Sequence, residues 1–194
     1  MKIGNLHISS KHKPILISEL SGNHGGKLSN AIKLVKEAAK NGSDLIKLQT
    51  YEAEKLTLKT NKSDFVIKDK KSIWKKRNLY SLYSEGHTPK EWHYKLFKEA
   101  KKYNVQCFTS IFHEDDIEFL EKLNVPAYKI ASFESNHYPL IKKVIQTKKP
   151  ILISTGLNSH TEISKLVNFL KKNNCKKFAL LKCTSSYPAN LNSL

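Results

Sequence analysis

Six short apolar runs alternate with amphipathic stretches from one end of the chain to the other, and few folds accept that alternation. The runs are Pro14 to Leu20 (PILISEL), Ser43 to Gln49 (SDLIKLQ), Val105 to Ser110 (VQCFTS), Ala127 to Ala131 (AYKIA), Pro150 to Thr155 (PILIST) and Lys177 to Thr184 (KFALLKCT). Each has strand length and is bounded by turn-forming residues. Between them the apolar spacing predicts helices over Lys27 to Asn41, Pro89 to Asn104, Glu114 to Leu123, Tyr138 to Thr147 and His160 to Asn173. Strand and helix in strict alternation describe βα units around a parallel sheet. The polar, lysine-rich and aromatic stretch Tyr51 to Thr88 interrupts the rhythm and reads as a long loop with a short helix around Trp74 to Tyr83. Helix ends have local support. Asn41-Gly42 is a stop, since glycine accepts a left-handed cap, and Asn104, Asn124 and the Asn173-Asn174 pair close three others. Thr88-Pro89 with Glu91 reads as a start, Thr88 being the N-cap.

No GxGxxG or GxxxxGK[ST] follows any strand, which removes the common phosphate-loop folds. Polar residues collect instead at the C-terminal ends of the strands: Glu19 with Asn23 and His24, Lys47 with Gln49, Ser110, Lys129 with Ser132, Ser154 with Thr155, and Thr184 to Tyr187. In a TIM barrel that face holds the active site, built from several different strands. The expected fold class is therefore α/β, the N-terminal six strands of a (β/α)8 TIM barrel, with residues 1–194 forming one incomplete barrel domain.

Lys47, Lys129 and Lys182 each sit inside an apolar run, where an unpaired ammonium costs several kcal/mol unless an anion meets it. Each precedes a small hydroxyl or amide side chain, so the expected ligand is a small anion. A different chemistry for the same residues is a Schiff-base aldolase with Lys129 or Lys182 as nucleophile. A third reading, a non-enzymatic polyanion-binding protein, follows from the formal charge of +17. Against it, Arg77 is the only arginine, and nucleic-acid interfaces lean on arginine for bidentate contacts, so no specific nucleic-acid partner is expected. Cys107, Cys175 and Cys183 are odd in number, show no CxxC spacing, and lie partly in strand-like segments, which fits reduced thiols in a cytoplasmic protein. No apolar run has the length of a membrane span. His24, in Asn23-His24-Gly25-Gly26, reads either as a metal ligand or base, or as a loop histidine that orders the glycine turn.

ISELSGNHGG (Ile17 to Gly26), IKLQTY (Ile46 to Tyr51), YKIAS (Tyr128 to Ser132), ISTG (Ile153 to Gly156) and KCTSSYP (Lys182 to Pro188) resemble, in order and spacing, the sialic acid synthase family. WKKRNLYSLY followed by TPKEWH (Trp74 to His93) is similar to its pseudaminic acid branch, with the N-acetylneuraminate branch as the alternative. The resemblance implies condensation of phosphoenolpyruvate with the open-chain aldehyde of an N-acetylated amino sugar. Carbon 3 of the enol attacks the aldehyde, water attacks carbon 2, and the tetrahedral intermediate expels phosphate. It implies phosphoenolpyruvate binding by Lys47, Ser110, Lys129, Ser132 and Ser154, and sugar contacts from Gln49, Ser185 and Tyr187. Glu19 resembles the carboxylate that handles protons, and Glu134 a second catalytic carboxylate that orients the intermediate. A divalent metal, Mn2+ or Mg2+, is implied as a Lewis acid, with histidine ligands outside this sequence. Two further barrel strands, an antifreeze-like C-terminal domain and a homodimer are also implied, so that this portion alone is expected to be inactive.

Overall fold

The computed structural model describes residues 1–70, 72–185 and 192. They divide into two compact units, Leu16 to Cys107 and Met1 to Ile15 with the chain from Phe108 onward.

In the first unit, strand β3 (Ile17–Glu19) pairs in parallel with β4 (Leu45–Thr50), in the register Ile17↔Leu45, Ser18↔Ile46 and Glu19↔Lys47. Helix α1 (Leu28–Lys40) joins them and packs on α4 (Lys90–Lys101). Ala31 and Val35, one turn apart on α1, reach a core shared with Ile46, Leu48, Leu96 and Ala100. Gly42, at φ +93°, turns the chain out of α1 in a conformation that side-chain-bearing residues resist. The connection after β4 is more ordered than the sequence suggests. It carries α2 (Ala53–Leu56), a 3-10 turn (Ser63–Phe65) and α3 (Leu79–Gly86). The Asn78 side chain caps α3 by accepting from the Ser81 N–H at 3.2 Å. An isolated antiparallel bridge joins Val66 to Asn78.

The second unit opens with a small antiparallel hairpin, β1 (Lys2–Ile3) and β2 (Leu6–His7), which the apolar pattern does not announce because each strand has only two residues. Its Ile3 is fully buried. Strands β5 (Gln106–Ile111), which begins at the border of the first unit, β6 (Tyr128–Ile130), β7 (Ile151–Ser154) and β8 (Phe178–Leu181) then pair in parallel, each with the next. Helices α5 (Asp116–Lys122), α6 (Tyr138–Gln146) and α7 (His160–Lys172) make the crossovers. α7 starts on a capping box in which Ser159 and Glu162 exchange hydrogen bonds. Asn104, Asn124 and Asn174 take left-handed turns before β5, between α5 and β6, and before β8, as their sequence positions predict.

Two local expectations change. β8 ends at Leu181, short of Cys183 and Thr184, with the Thr155 N–H and hydroxyl both donating to the Leu181 carbonyl, at 3.0 and 3.1 Å. The N-cap of α4 is Pro89, not Thr88; the buried Thr88 hydroxyl is engaged by His24 instead.

Candidate functional site

In the second unit, parallel pairing places Ser110 beside Lys129. Ser154 lies two residues beyond Leu152, the register partner of Lys129, so strand alternation puts all three side chains on one face. Lys129 is only 6% exposed. Its ammonium donates to the Ser154 hydroxyl and to the Ile130 carbonyl, both at 2.6 Å. Burial pulls its pKa down to about 8, against the opposing pull of Cys183 and Glu134. A cation held so far out of water and given only neutral oxygens as hydrogen-bond partners is poised for an anion.

The turns that follow β6 and β7 complete the cluster. Gly156 donates its N–H to the Ser132 hydroxyl at 3.2 Å, which fixes Ser132 between the ends of the two strands. A Cβ at Gly156 would lie 2.2 Å from Ser185 Oγ and 2.8 Å from Cys183 Cβ, so the missing side chain is what admits the segment after β8. Glu134, behind Ser132, has a buried oxygen, Oε2, without a hydrogen-bond partner among the described residues. Burial raises its pKa above the usual carboxylate value, and a backbone hydrogen bond and Lys129 only partly offset this. Ser185 is exposed. Tyr187 lies outside the described residues.

In the first unit, the register that aligns Glu19 with Lys47 brings their side chains into an ion pair at the C-terminal end of β3. Gln49, two residues beyond Lys47 and on its face, donates to Ser21 Oγ at 3.5 Å. His24 is fully buried and orders the turn. Its Nδ1 accepts from the Gly26 N–H at 3.1 Å, which leaves the ring proton on Nε2, 3.4 Å from the Thr88 hydroxyl. Burial, with His87 nearby, lowers its pKa. Of the two readings of His24, the turn-ordering one describes these contacts.

The sequence reading of Lys182 as a buried strand lysine is corrected: it is exposed and lies one residue beyond β8. Conversely, Cys183 and Gly156 join the cluster without having been singled out for it. Strand spacing gives the face of a residue, whereas a close approach across a glycine is legible only in three dimensions. Among the described residues no group of three or more His, Cys, Asp or Glu side chains is placed to hold a metal ion. No helix among these residues is long and apolar enough to cross a membrane.

The chain is 41% identical over its whole length to the pseudaminic acid synthase of Campylobacter jejuni, of which it spans 55%. Against the N,N'-diacetyllegionaminic acid synthase of the same organism identity falls to 30%, over 94% of this chain and 54% of that one. The chain thus spans about half the length of these curated relatives. The crystal structure of the N-acetylneuraminic acid synthetase of Leptospira borgpetersenii, in complex with citrate, matches 99% of this chain and 61% of its own, with a TM-score of 0.83 at 27% identity. The βα units are accordingly those of a TIM barrel, and the described residues include six of its eight parallel strands. Residues 34–194 match the NeuB family model, and the chain belongs to the NeuB family.

Proposed function

We propose that this chain carries the phosphoenolpyruvate-binding part of a synthase that condenses phosphoenolpyruvate with an open-chain N-acetylated amino sugar, of pseudaminic rather than neuraminic type. The observation that carries the proposal is the buried Lys129 ammonium, resting on Ser154 and aligned with Ser110. A phosphate or carboxylate replaces neutral oxygens around that cation with charged ones, and charge-assisted hydrogen bonds are about twice as strong as neutral ones. Ser132, Ser154 and Ser110 supply hydroxyls that can donate to the remaining anionic oxygens. Glu134 stands close enough to Lys129 for their charges to interact, and burial raises its pKa, as suits a carboxylate placed to exchange a proton. Glu19, paired with Lys47, is the acid–base group of the other unit, and Gln49, Ser185 and Tyr187 are assigned to the sugar. Greater similarity to the pseudaminic than to the legionaminic relative supports the sugar class. A divalent metal, a homodimeric assembly and cytoplasmic location complete the proposal on the strength of family membership alone.

One observation favours a second chemistry. A lysine with pKa near 8 has an appreciable neutral fraction, as an imine-forming nucleophile requires. Borohydride with pyruvate separates the two: the synthase reading expects no covalent adduct at Lys129, and a trapped adduct there establishes the aldolase. The direct test of the synthase is phosphate release, by a full-length enzyme carrying this segment, that requires both phosphoenolpyruvate and the N-acetylated amino sugar. Release with either alone contradicts it.

A further inference from the structure

We propose that Cys183 is a positioning residue of the anion cradle, its sulfur lying where a bound phosphoenolpyruvate covers it; this rests on the proposed function. Cys183 meets the cluster on several sides. The Ser132 hydroxyl donates to Sγ at 4.0 Å, and the thiol donates to the Leu181 carbonyl at 3.5 Å. Gly156 lets Cys183 and Ser185 close on Ser132, since a Cβ there would stand 2.2 Å from Ser185 Oγ, 2.8 Å from Cys183 Cβ and 3.4 Å from Ser132 Oγ. The sulfur is thus an acceptor for the same hydroxyl that accepts from the Gly156 N–H. Sulfur is a weak acceptor, so a phosphate oxygen takes that hydroxyl from it at little cost.

Electrostatics agree with the geometry. Burial pushes the thiol up, but hydrogen bonds with Ser154, Ser132 and the Thr155 backbone, and the Lys129 charge, outweigh it and bring the thiol below its ordinary value. The charged and titratable groups facing it are Lys129 and, through Lys129, Glu134. The other two cysteines serve as internal controls. Cys107 is buried, with its thiol pushed up to about 12, and Cys175 is also raised by burial.

Alkylation by iodoacetamide, mapped by mass spectrometry on the whole protein, tests the assignment. The thiol sulfur bonds to the reagent's methylene carbon, iodide leaves, and the thiol proton passes to solvent. Cys183 is expected to react before Cys175 and Cys107. Saturating phosphoenolpyruvate should slow its reaction about tenfold, as expected for a nearly fully occupied site. The alkylated protein should bind phosphoenolpyruvate about tenfold or more weakly, while Cys183→Ser stays within about threefold of wild type and is insensitive to the reagent. A structural role alone would give neither ligand protection nor serine rescue. If phosphoenolpyruvate binds by calorimetry but neither protects Cys183 nor is displaced by its alkylation, the inference is overturned and the proposed function stands. If phosphoenolpyruvate does not bind the unmodified protein, the proposed function falls and the inference with it.

Discussion

At the scale of single residues, the account turns on what a buried cation requires. Lys129 in the free protein releases its proton near pH 8, because burial disfavours the ammonium. A bound anion favours the charged form, so binding above that pH must be accompanied by proton uptake. Phosphoenolpyruvate affinity is therefore expected to be level below pH 8 and to fall above it, by at most about tenfold per pH unit. Calorimetry in two buffers of different ionisation heat reads the uptake directly, and an affinity that rises with pH contradicts the assignment. Made in a full-length enzyme carrying this segment, Glu19→Gln is expected to lower turnover while leaving phosphoenolpyruvate affinity within about threefold, the pattern of a group used in the reaction rather than in holding the substrate. Equal losses in both speak against a proton-transfer role. Much of this was legible in the sequence, since a lysine inside YKIAS raises the question of its counterion before any fold is known. The partners were less legible. That Lys129 rests on Ser154, or that Cys183 approaches Ser132, depends on which strands lie side by side and in what register.

At the scale of elements, the alternation of apolar runs located each strand and crossover helix because period and length agree in every βα unit. Boundaries moved by a residue or a few at element ends: β8 stops at Leu181, and Thr88, whose hydroxyl meets His24, leaves the N-cap of α4 to Pro89. The N-terminal hairpin and α2 escaped notice for a simpler reason: elements of two and four residues are too short to show a period. Two substitutions probe the elements that hold the cluster. Ser159→Ala removes half of the α7 capping box and is expected to cost about 1 kcal/mol in denaturant unfolding without altering phosphoenolpyruvate affinity. An affinity change as large as the stability change would mean that α7 does more than carry the crossover. Gly156→Ala places a carbon against Cys183 Cβ, which is anchored to the chain and cannot swing aside. Its expected cost is about 1–3 kcal/mol of stability together with weakened ligand binding. Unchanged binding in a stably folded Gly156→Ala protein would show that the close approach has no bearing on the cradle.

At the scale of the whole molecule, family membership and the buried-lysine cluster point the same way, although they rest on different observations. The formal charge of +17 does not compete with them, since it is carried almost entirely by lysines and no metal-type or arginine-rich constellation accompanies it among the described residues. Lysines exposed on an outer surface are ordinary, whereas one held at 6% exposure is not. The most direct measurement is calorimetric titration of phosphoenolpyruvate into wild-type, Lys129→Met and Lys182→Met proteins. The two lysines differ in the respect that matters, one being buried on Ser154 and the other exposed beyond β8. Binding to the wild type is expected, with a loss of about tenfold or more in Lys129→Met, corresponding to about 1.5–3 kcal/mol for a charged hydrogen-bond partner, and little change in Lys182→Met. Equal affinities for wild type and Lys129→Met, or a larger loss at Lys182, would contradict the role given to Lys129.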